Sequence, residues 1–256
     1  MKIGAQLYTV REFCRTTEAF AETLARVADL GYTTVQVSGT CAYEPEWLRD
    51  ELKKNGLTCT LTHTPYARIL ADPDGLIAAH KILGCPYIGL GSMPGDYHES
   101  VEGVRRFAAE MRPIAQKIRV AGGLFMYHNH QREYAVAPDG RTYMEWLNAL
   151  FLPREAGFTL DTYWVTYGGG DLLAEIRRLA GRIPCTHLQD MAVLPDGTRR
   201  YTWVGGGILP FPAILAAMET AGCEVAFVEQ GDCFGEDPFE CLKKSRDYLR
   251  SLGMAF

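Results

Sequence analysis

The chain has 256 residues, of which 47% are hydrophobic and 22% are charged, and its formal net charge is −5. This length and composition are typical of one globular domain with a full core. No apolar run approaches the ~18 residues that a membrane span requires, and no block of Lys and Arg offers the basic surface that nucleic acid needs. We therefore expect one domain over residues 1–256 that binds neither membrane nor nucleic acid.

The start of the chain and its cysteines bear on the cellular compartment. Met1-Lys2-Ile3-Gly4 leads directly into an apolar segment, without the features of a signal peptide, which predicts a cytoplasmic location. The eight cysteines include no C-x-x-C pair, which argues against a structural zinc knuckle and a redox dithiol. In a reducing compartment most of them are expected to be free thiols.

Short apolar segments alternate with amphipathic segments along the chain. The predicted strands are, in order, residues 3–7, 34–37, 58–62, 87–90, 124–127, 158–160, 185–188 and 225–228. Helices are predicted where apolar residues recur three and four positions apart, mostly with a glycine just after them. These helices cover residues 16–30, 45–55, 99–120, 143–150, 171–180, 211–221 and 238–252. The alternation, repeated about eight times, is typical of a parallel α/β sheet.

Two parallel α/β architectures fit this alternation. The length lies close to the ~250 residues typical of a closed (β/α)8 TIM barrel. An open doubly wound sheet is the alternative, but such a sheet usually carries a G-x-G-x-x-G motif after its first strand. Here that strand leads instead into Gln6-Leu7-Tyr8-Thr9-Val10-Arg11. The sequence therefore favours the closed barrel.

Four of the predicted strands run directly into side chains that can bind metal. His128 and His130 follow the fifth strand, Asp161 follows the sixth, His187 lies in the seventh, and Glu229 follows the eighth. Residues at the carboxyl ends of barrel strands lie on the active-site face. Imidazole and carboxylate groups converging there would suit a divalent cation such as Mn²⁺, Zn²⁺, Co²⁺ or Mg²⁺. The pattern predicts a metal site, with either strand-five histidine as a ligand and the other free to contact substrate.

Other polar side chains are expected on the same face. Glu133 lies a few residues beyond the fifth strand, where a carboxylate can move a proton as general acid and base. His63 ends the third strand, and Tyr8 and Arg11 follow the first. All of them are candidates for contact with a ligand if the barrel closes as predicted.

Two glycine runs follow the sixth and seventh strands. They are Gly168-Gly169-Gly170 and Gly205-Gly206-Gly207. Glycine lets a backbone approach a ligand or a phosphate closely, but it is equally common in tight turns and mobile loops. The runs are weak evidence for phosphate binding.

Several of these segments, in this order, resemble the sugar phosphate isomerase/epimerase family. This family comprises xylose-isomerase-like barrels and includes ketose 3-epimerases, inosose dehydratases and endonuclease-IV-type enzymes. The similarity extends over nearly the whole chain. It is carried by Gly4-Ala5-Gln6-Leu7-Tyr8, Tyr127-His128-Asn129-His130 with Glu133, Leu160-Asp161-Thr162-Tyr163-Trp164, His187-Leu188-Gln189-Asp190, Gly205-Gly206-Gly207 with Leu209-Pro210-Phe211, and Val228-Glu229-Gln230.

The resemblance implies a ligand set. Asp161, His187 and Glu229 match three metal ligands of the family, and the fourth comes from the end of strand five. The epimerase branch has a glutamate there, whereas this chain has His128, with His130 as the alternative. In ketose epimerases that glutamate is one of two carboxylates that exchange protons with opposite faces of the substrate. Its absence argues against a simple two-carboxylate mechanism.

Two further departures distinguish this chain from the epimerase branch. Trp164 stands where that branch tends to have histidine, and Gly206 stands where related sequences often place a glutamate. The chain looks like the Tyr-His-Asn-His branch, whose members are mostly named isomerase or epimerase by similarity.

The resulting hypothesis is a metal-dependent isomerase or epimerase in carbohydrate metabolism, acting on a sugar, sugar phosphate or keto-sugar through a metal-stabilised enediolate. Glu229 would both bind metal and exchange the proton, with Glu133 as the second acid/base. The only predicted partner is a small carbohydrate, and self-association into a homo-oligomer is left open. The residues expected to contact substrate are His130, His63, Tyr8, Arg11 and Trp164.

Two other functions are consistent with the same pattern. A lyase or dehydratase acting on a keto-sugar or keto-inositol would share the metal and the first proton abstraction. It would then expel a leaving group instead of returning the proton. The other is a non-catalytic sugar-binding barrel that lost turnover together with the strand-five glutamate. Endonuclease activity is disfavoured by the acidic composition.

Overall fold

Eight parallel strands close into a barrel in the computed structural model, which describes residues 1–256. In chain order the barrel strands are β1 (Lys2–Gln6), β2 (Thr34–Val37), β3 (Thr58–His63), β4 (Tyr87–Leu90), β5 (Leu124–His128), β6 (Ala156–Asp161), β7 (Cys185–Leu188) and β10 (Val225–Val228). Neighbouring strands around the barrel follow the chain order, and β10 closes onto β1. The predicted single-domain (β/α)8 TIM barrel is confirmed.

Ten α-helices surround the strands. They are α1 (Thr17–Asp29), α2 (Pro45–Lys54), α3 (Tyr66–Ala71), α4 (Pro73–Leu83), α5 (Val101–Val120), α6 (Tyr143–Leu150), α7 (Thr162–Tyr167), α8 (Leu172–Arg178), α9 (Phe211–Thr220) and α10 (Pro238–Ser251). Short 3-10 turns cover Leu7–Phe13, Gly95–His98 and Gln131–Tyr134. None of the helices is both long and apolar enough to cross a bilayer.

Helices α3 and α4 lie between the third and fourth strands, where the hydrophobic pattern predicts no helix. Helix α4 begins with Pro73-Asp74-Gly75, a combination that is typical of turns. Here Asp72 caps the helix by accepting a hydrogen bond from the Gly75 amide, and proline is favourable in a first helical turn. The turn-like residues therefore start a helix in this place.

An antiparallel hairpin interrupts the βα alternation after β7. Its strands are β8 (Asp190–Val193) and β9 (Arg199–Thr202), and the sequence analysis did not predict it. The Asp190 carboxylate accepts hydrogen bonds from the amides of Met191, Gly205, Gly207 and Leu209. This carboxylate ties the hairpin to the glycine loop at the carboxyl end of the barrel.

Apolar side chains fill the interior of the barrel below the strand ends. This inner cluster consists of Leu61, Met126, Cys185, Val225 and Phe227. Glycines make room for it, because a Cβ at Gly4 would lie 2.7 Å from the Phe227 ring and one at Gly157 would lie 2.7 Å from the Met126 sulfur. All eight cysteines are free thiols, as expected.

Aromatic packing outside the barrel holds β5 in place. Phe107 of α5 is fully buried, with its ring 5.7 Å from that of Tyr127 in β5. The rings of Tyr66, Tyr97 and Phe151 lie 5.9–6.2 Å away from it. Strand β5 ends in His128, so this packing supports a predicted ligand.

We expect Phe107→Ala to lower the free energy of unfolding by about 3–5 kcal/mol, because the change leaves a cavity among four aromatic rings. Urea denaturation followed by circular dichroism measures the difference. Val120→Ala, at a residue that is 90% exposed on the same helix, should change the value by about 0.5 kcal/mol or less. A loss below about 1 kcal/mol for Phe107→Ala would contradict the packing role.

Candidate metal centre

Four buried side chains meet at the carboxyl end of the barrel. His128, Asp161, His187 and Glu229 each offer one ligand atom, and these atoms all lie within 4.8 Å of one another. His128 Nε2 lies 3.4 Å and His187 Nδ1 lies 3.6 Å from Asp161 Oδ2. His187 Nδ1 also lies 2.7 Å from Glu229 Oε2. This group, called the ligand cluster below, could hold a metal ion.

Hydrogen bonds at the opposite ring nitrogens orient the two imidazoles. His128 Nδ1 donates to the Gly91 carbonyl over 3.0 Å, which leaves Nε2 facing the cluster. His187 Nε2 donates to Gln36 Oε1 over 2.6 Å, which leaves Nδ1 facing it. Metal-bound histidines are held by outer partners of this kind, which fix both the tautomer and the ring orientation.

Asp161 is held at both of its carboxylate oxygens. Its Oδ1 accepts the Trp164 amide over 2.9 Å as the N-cap of α7, and its Oδ2 accepts Gln189 Nε2 over 2.6 Å. The backbone amide of Asp161 donates to Asn129 Oδ1 over 2.9 Å. The carboxylate is thereby fixed with Oδ2 toward the two histidines.

Two atoms of the cluster show that these residues fit a bound cation. His187 Nδ1 and Glu229 Oε2 are buried and have no hydrogen-bond partner. Buried polar atoms without partners are costly, and two buried carboxylates concentrate negative charge. A divalent cation would satisfy the free atoms and balance the charge. The mixture of imidazole and carboxylate donors suits Zn²⁺, Mn²⁺ or Co²⁺.

The charges within the cluster also shift its pKa values. Burial alone would raise the pKa of Asp161, but the His128 and His187 imidazoles outweigh burial and lower this pKa below its ordinary value. Burial alone would lower the pKa of His187, but the Glu229 and Asp161 carboxylates raise it to about 9. The field at this end of the barrel therefore attracts positive charge.

A cavity of about 500 Å³ opens above the ligand cluster. His128 and Glu229 form part of its wall, so the cluster is in contact with the cavity. Of the residues expected to contact substrate, Tyr8, His63, His130 and Trp164 line this space. A volume of this size is usual for small-molecule sites.

Two histidines of the cavity wall, His63 and His130, are neutral at pH 7. Burial, followed by the nearby imidazoles of the cluster, lowers the pKa of His63 well below its ordinary value. Burial and the neighbouring His128 lower the pKa of His130 to about 3. A neutral imidazole both donates and accepts hydrogen bonds, which suits a sugar hydroxyl.

The structure does not bring Glu133 to the cavity, although the sequence analysis placed it on the reacting face. Its side chain is fully buried behind β5. Its Oε1 accepts a 2.5 Å hydrogen bond from the Tyr127 hydroxyl, and its Oε2 accepts the His130 amide over 2.7 Å. The turn Gln131–Tyr134 folds the glutamate back beneath His130.

Arg11 also lies outside the cavity that contacts the ligand cluster. Its guanidinium donates to the Tyr8 and Gly231 carbonyls over 2.8 and 3.1 Å, and it lies 4.1 Å from the centre of the Tyr8 ring. It lines a separate, smaller pocket beyond Gly231. Arg11 therefore supports the wall that Tyr8 presents to the cavity.

Sequence reasoning missed four residues of the site. Gln36 and Gln189 orient ligands, Asn129 holds the Asp161 backbone, and Tyr201 lines the cavity from the hairpin. One of them carried a signal in the sequence. Gln36 is an uncharged polar residue within the otherwise apolar or β-branched strand Thr34–Val37, and a polar side chain in a fully buried strand calls for a buried partner.

Residues 24–252 match the family described as xylose isomerase-like TIM barrel. The chain belongs to that family. Comparison with curated proteins finds none that matches the sequence.

Solved structures share the fold at low sequence identity. A sugar phosphate isomerase/epimerase from Parabacteroides distasonis is 22% identical, with a TM-score of 0.81 over 98% of this chain and 93% of that one. The probable 3-DHS dehydratase AsbF from Bacillus anthracis is 15% identical, with a TM-score of 0.76 over 98% and 99%. The IOLI protein, solved with a zinc atom, is 13% identical, with a TM-score of 0.73 over 98% of both chains.

We expect His187→Ala and Asp161→Asn to abolish stoichiometric uptake of a divalent cation while leaving the circular dichroism spectrum intact. Each change removes one donor, and the asparagine side chain retains an oxygen that can cap α7. Elemental analysis after dialysis against Zn²⁺ or Mn²⁺ measures the bound metal. His80→Ala is the control, because His80 is a buried histidine bonded to Thr62 and Leu76 outside the cluster. Full metal content in both cluster variants would refute the site.

Gln36→Leu is expected to weaken metal affinity by about 10–100-fold, because His187 loses the acceptor that orients its ring. Titration with a competing chelator measures the affinity. Gln6→Leu is a matched control, since Gln6 pairs in register with Gln36 on the neighbouring strand. Its side chain caps the turn after β1 and does not orient a metal ligand. Equal affinities for the Gln36 variant and the unsubstituted protein would contradict this role.

Proposed function

We propose that this protein is a metal-dependent isomerase or epimerase of a sugar, sugar phosphate or keto-sugar. The observation that carries the proposal is the position of Glu229, whose carboxylate belongs to the ligand cluster and also lines the cavity. A carboxylate at that place can bind the cation and can also reach a substrate carbon next to the oxygens that the cation binds. Membership of the xylose isomerase-like family supports the same class of enzyme.

A divalent cation bound by His128, Asp161, His187 and Glu229 would supply Lewis acidity to adjacent carbonyl and hydroxyl oxygens of the sugar. Glu229 removes the proton from the hydroxyl-bearing carbon next to the carbonyl. Isomerisation returns this proton to the former carbonyl carbon while the hydroxyl proton moves to the former carbonyl oxygen, whereas epimerisation returns a proton to the same carbon on its opposite face. Gly91 and Gln36 keep the two imidazoles in the ligating tautomers. The protein would thus hold the carbonyl and hydroxyl oxygens of the substrate at the ligand cluster, with the Glu229 carboxylate beside the reacting carbon.

Substrate orientation falls to the residues of the cavity wall. His63 Nε2 and His130 Nδ1 are buried and have no hydrogen-bond partner within the protein. Both rings line the cavity, so hydroxyl groups of a sugar would supply the missing partners. Tyr8 and Trp164 offer apolar surface beside them.

Glu133 acts on the reaction through His130 in this proposal. Its carboxylate holds the His130 amide, and its other oxygen is bonded to Tyr127. We therefore treat Glu133 as a positioning residue and Glu229 as the group that exchanges the proton.

Elimination is the second candidate, and one observation favours it. Glu229 is the only carboxylate among the residues that line the cavity. Two-sided epimerisation needs a second group to return a proton to the opposite face, whereas elimination and one-base isomerisation do not. A structural neighbour, AsbF, is named as a dehydratase.

Incubation of the metal-loaded protein with ketoses and 3-keto sugars in D₂O tests the reaction. Isomerase or epimerase activity places deuterium in the recovered sugar next to its carbonyl, whereas elimination gives an unsaturated or deoxygenated product. Nuclear magnetic resonance and mass spectrometry distinguish the two results. At saturating metal, Glu229→Gln should lower either rate by about 10²–10⁴-fold.

Glu224→Gln is the matched control, because Glu224 lies exposed at the opposite end of the same strand. Its variant should retain the full rate. Deuterium exchange that persists in the Glu229→Gln variant would contradict the assignment of Glu229 as the base. Tight sugar binding without exchange or product, unaffected by added metal, would support a non-catalytic barrel instead.

A further inference from the structure

The charge of the cavity wall restricts the substrate. None of the 18 residues that line the cavity is Lys or Arg. The Glu229 carboxylate is the one acidic group among them. The remaining polar groups are amides, hydroxyls and imidazoles. Sites for a phosphate group generally use Arg or Lys side chains or a set of free backbone amides. The cavity wall contains no cationic side chain for this purpose.

The glycine run after the hairpin has no free amides for a phosphate. Gly205 and Gly207 both donate their amides to Asp190 Oδ2 over 2.9 Å. The Leu209 amide donates to Oδ1 of the same carboxylate over 3.1 Å. Asp190 thus occupies the anion-binding position that this loop would otherwise provide.

The backbone amides of the glycine run after α7 are also hydrogen-bonded within the protein. The amides of Gly168, Gly169 and Gly170 donate to backbone carbonyls of α7, at Trp164, Thr166 and Val165. These bonds end the helix. The Gly231 amide in the cavity wall donates to Gln189 Oε1 over 3.0 Å.

The arginines of the turn after β1 and of the hairpin face other groups. The Arg11 guanidinium is bound to carbonyls behind Tyr8. On the hairpin, Arg200 lies over the Phe234 ring at 5.1 Å, and Arg199 lies 6.0 Å from the Tyr167 ring. None of the three lines the cavity. A phosphate inside the cavity would have no partner among them.

Aromatic rings lead from the ligand cluster toward solvent. The ring centres of His128 and His130 lie 4.7 Å apart, those of His130 and Trp164 5.1 Å apart, and those of Trp164 and Tyr167 5.8 Å apart. Tyr201 stands nearly perpendicular to Trp164, at 86° and 5.8 Å. Trp164 and Tyr201, called the aromatic wall below, both line the cavity.

We propose that the cavity takes an uncharged carbohydrate without a phosphate group, with one sugar face against the aromatic wall. The C–H face of a sugar ring is apolar and packs on an aromatic ring, while its hydroxyl edge reaches the amides and imidazoles. This inference rests on the proposed function and narrows its substrate class. It concerns binding, and it can therefore be tested apart from turnover.

Ligand-observed saturation-transfer NMR on the Zn²⁺-loaded protein tests the preference with matched pairs of probes. The pairs are D-fructose with D-fructose 6-phosphate, D-ribulose with D-ribulose 5-phosphate, and D-xylulose with D-xylulose 5-phosphate. We expect the free sugar of at least one pair to bind, and its phosphate ester to bind at least about tenfold more weakly. Inorganic phosphate should not displace the sugar.

A variant locates the binding surface. Trp164→Ala should weaken binding of the free sugar by about tenfold with unchanged metal content. Trp146→Phe is the control, because Trp146 packs between Arg105 and Arg141 away from the cavity. Tighter binding of the esters, binding of no free sugar, or unchanged binding in Trp164→Ala would overturn the inference. Deuterium exchange with the esters alone would overturn it while leaving the isomerase proposal standing.

Discussion

The two carboxylates and two imidazoles of the ligand cluster are buried together at the carboxyl end of the barrel. The rest of the site depends on how the negative charge of the carboxylates is stabilised there. Asp161 and His187 are fully buried, and His187 Nδ1 lies 2.7 Å from Glu229 Oε2. Such an arrangement is expensive unless an opposite charge compensates it. The closed barrel supplies the rigidity that keeps the groups together, because the apolar cluster around Phe227 fills the interior beneath them.

Three side-chain amides fix the orientation of groups in the ligand cluster. Gln36 binds the His187 ring, Gln189 binds the Asp161 carboxylate and Asn129 binds the Asp161 backbone amide. All three partner side chains are uncharged. An amide orients a ligand without adding net charge, so it leaves the attraction for a cation intact. A Lys or Arg in the place of Gln189 would neutralise Asp161 and compete with a metal. The uncharged character of these partners is therefore part of the function of the site.

The local parts of this arrangement could be predicted from the sequence, and the parts that depend on closure could not. Asp161 and Glu229 stand out because each follows a short apolar strand, a pattern that needs only a few residues of context. The bond between Gln36 and His187 joins β2 to β7, which β1 and β10 separate around the barrel. No spacing along the chain encodes that contact. Tyr201 lies in the β8–β9 hairpin, which the βα alternation does not predict.

The same charge balance bears on how a substrate is oriented. With no Lys or Arg in the cavity wall, and with the charge of a bound divalent cation balanced by Asp161 and Glu229, the cavity offers no net positive charge. A phosphate group bound there would have no compensating charge and would lie beside the Glu229 carboxylate. In the proposed reaction, an uncharged sugar brings only its carbonyl and hydroxyl oxygens to the cluster, so its reacting carbons lie next to the base. The lack of cationic side chains in the wall thus favours the productive orientation of a neutral substrate.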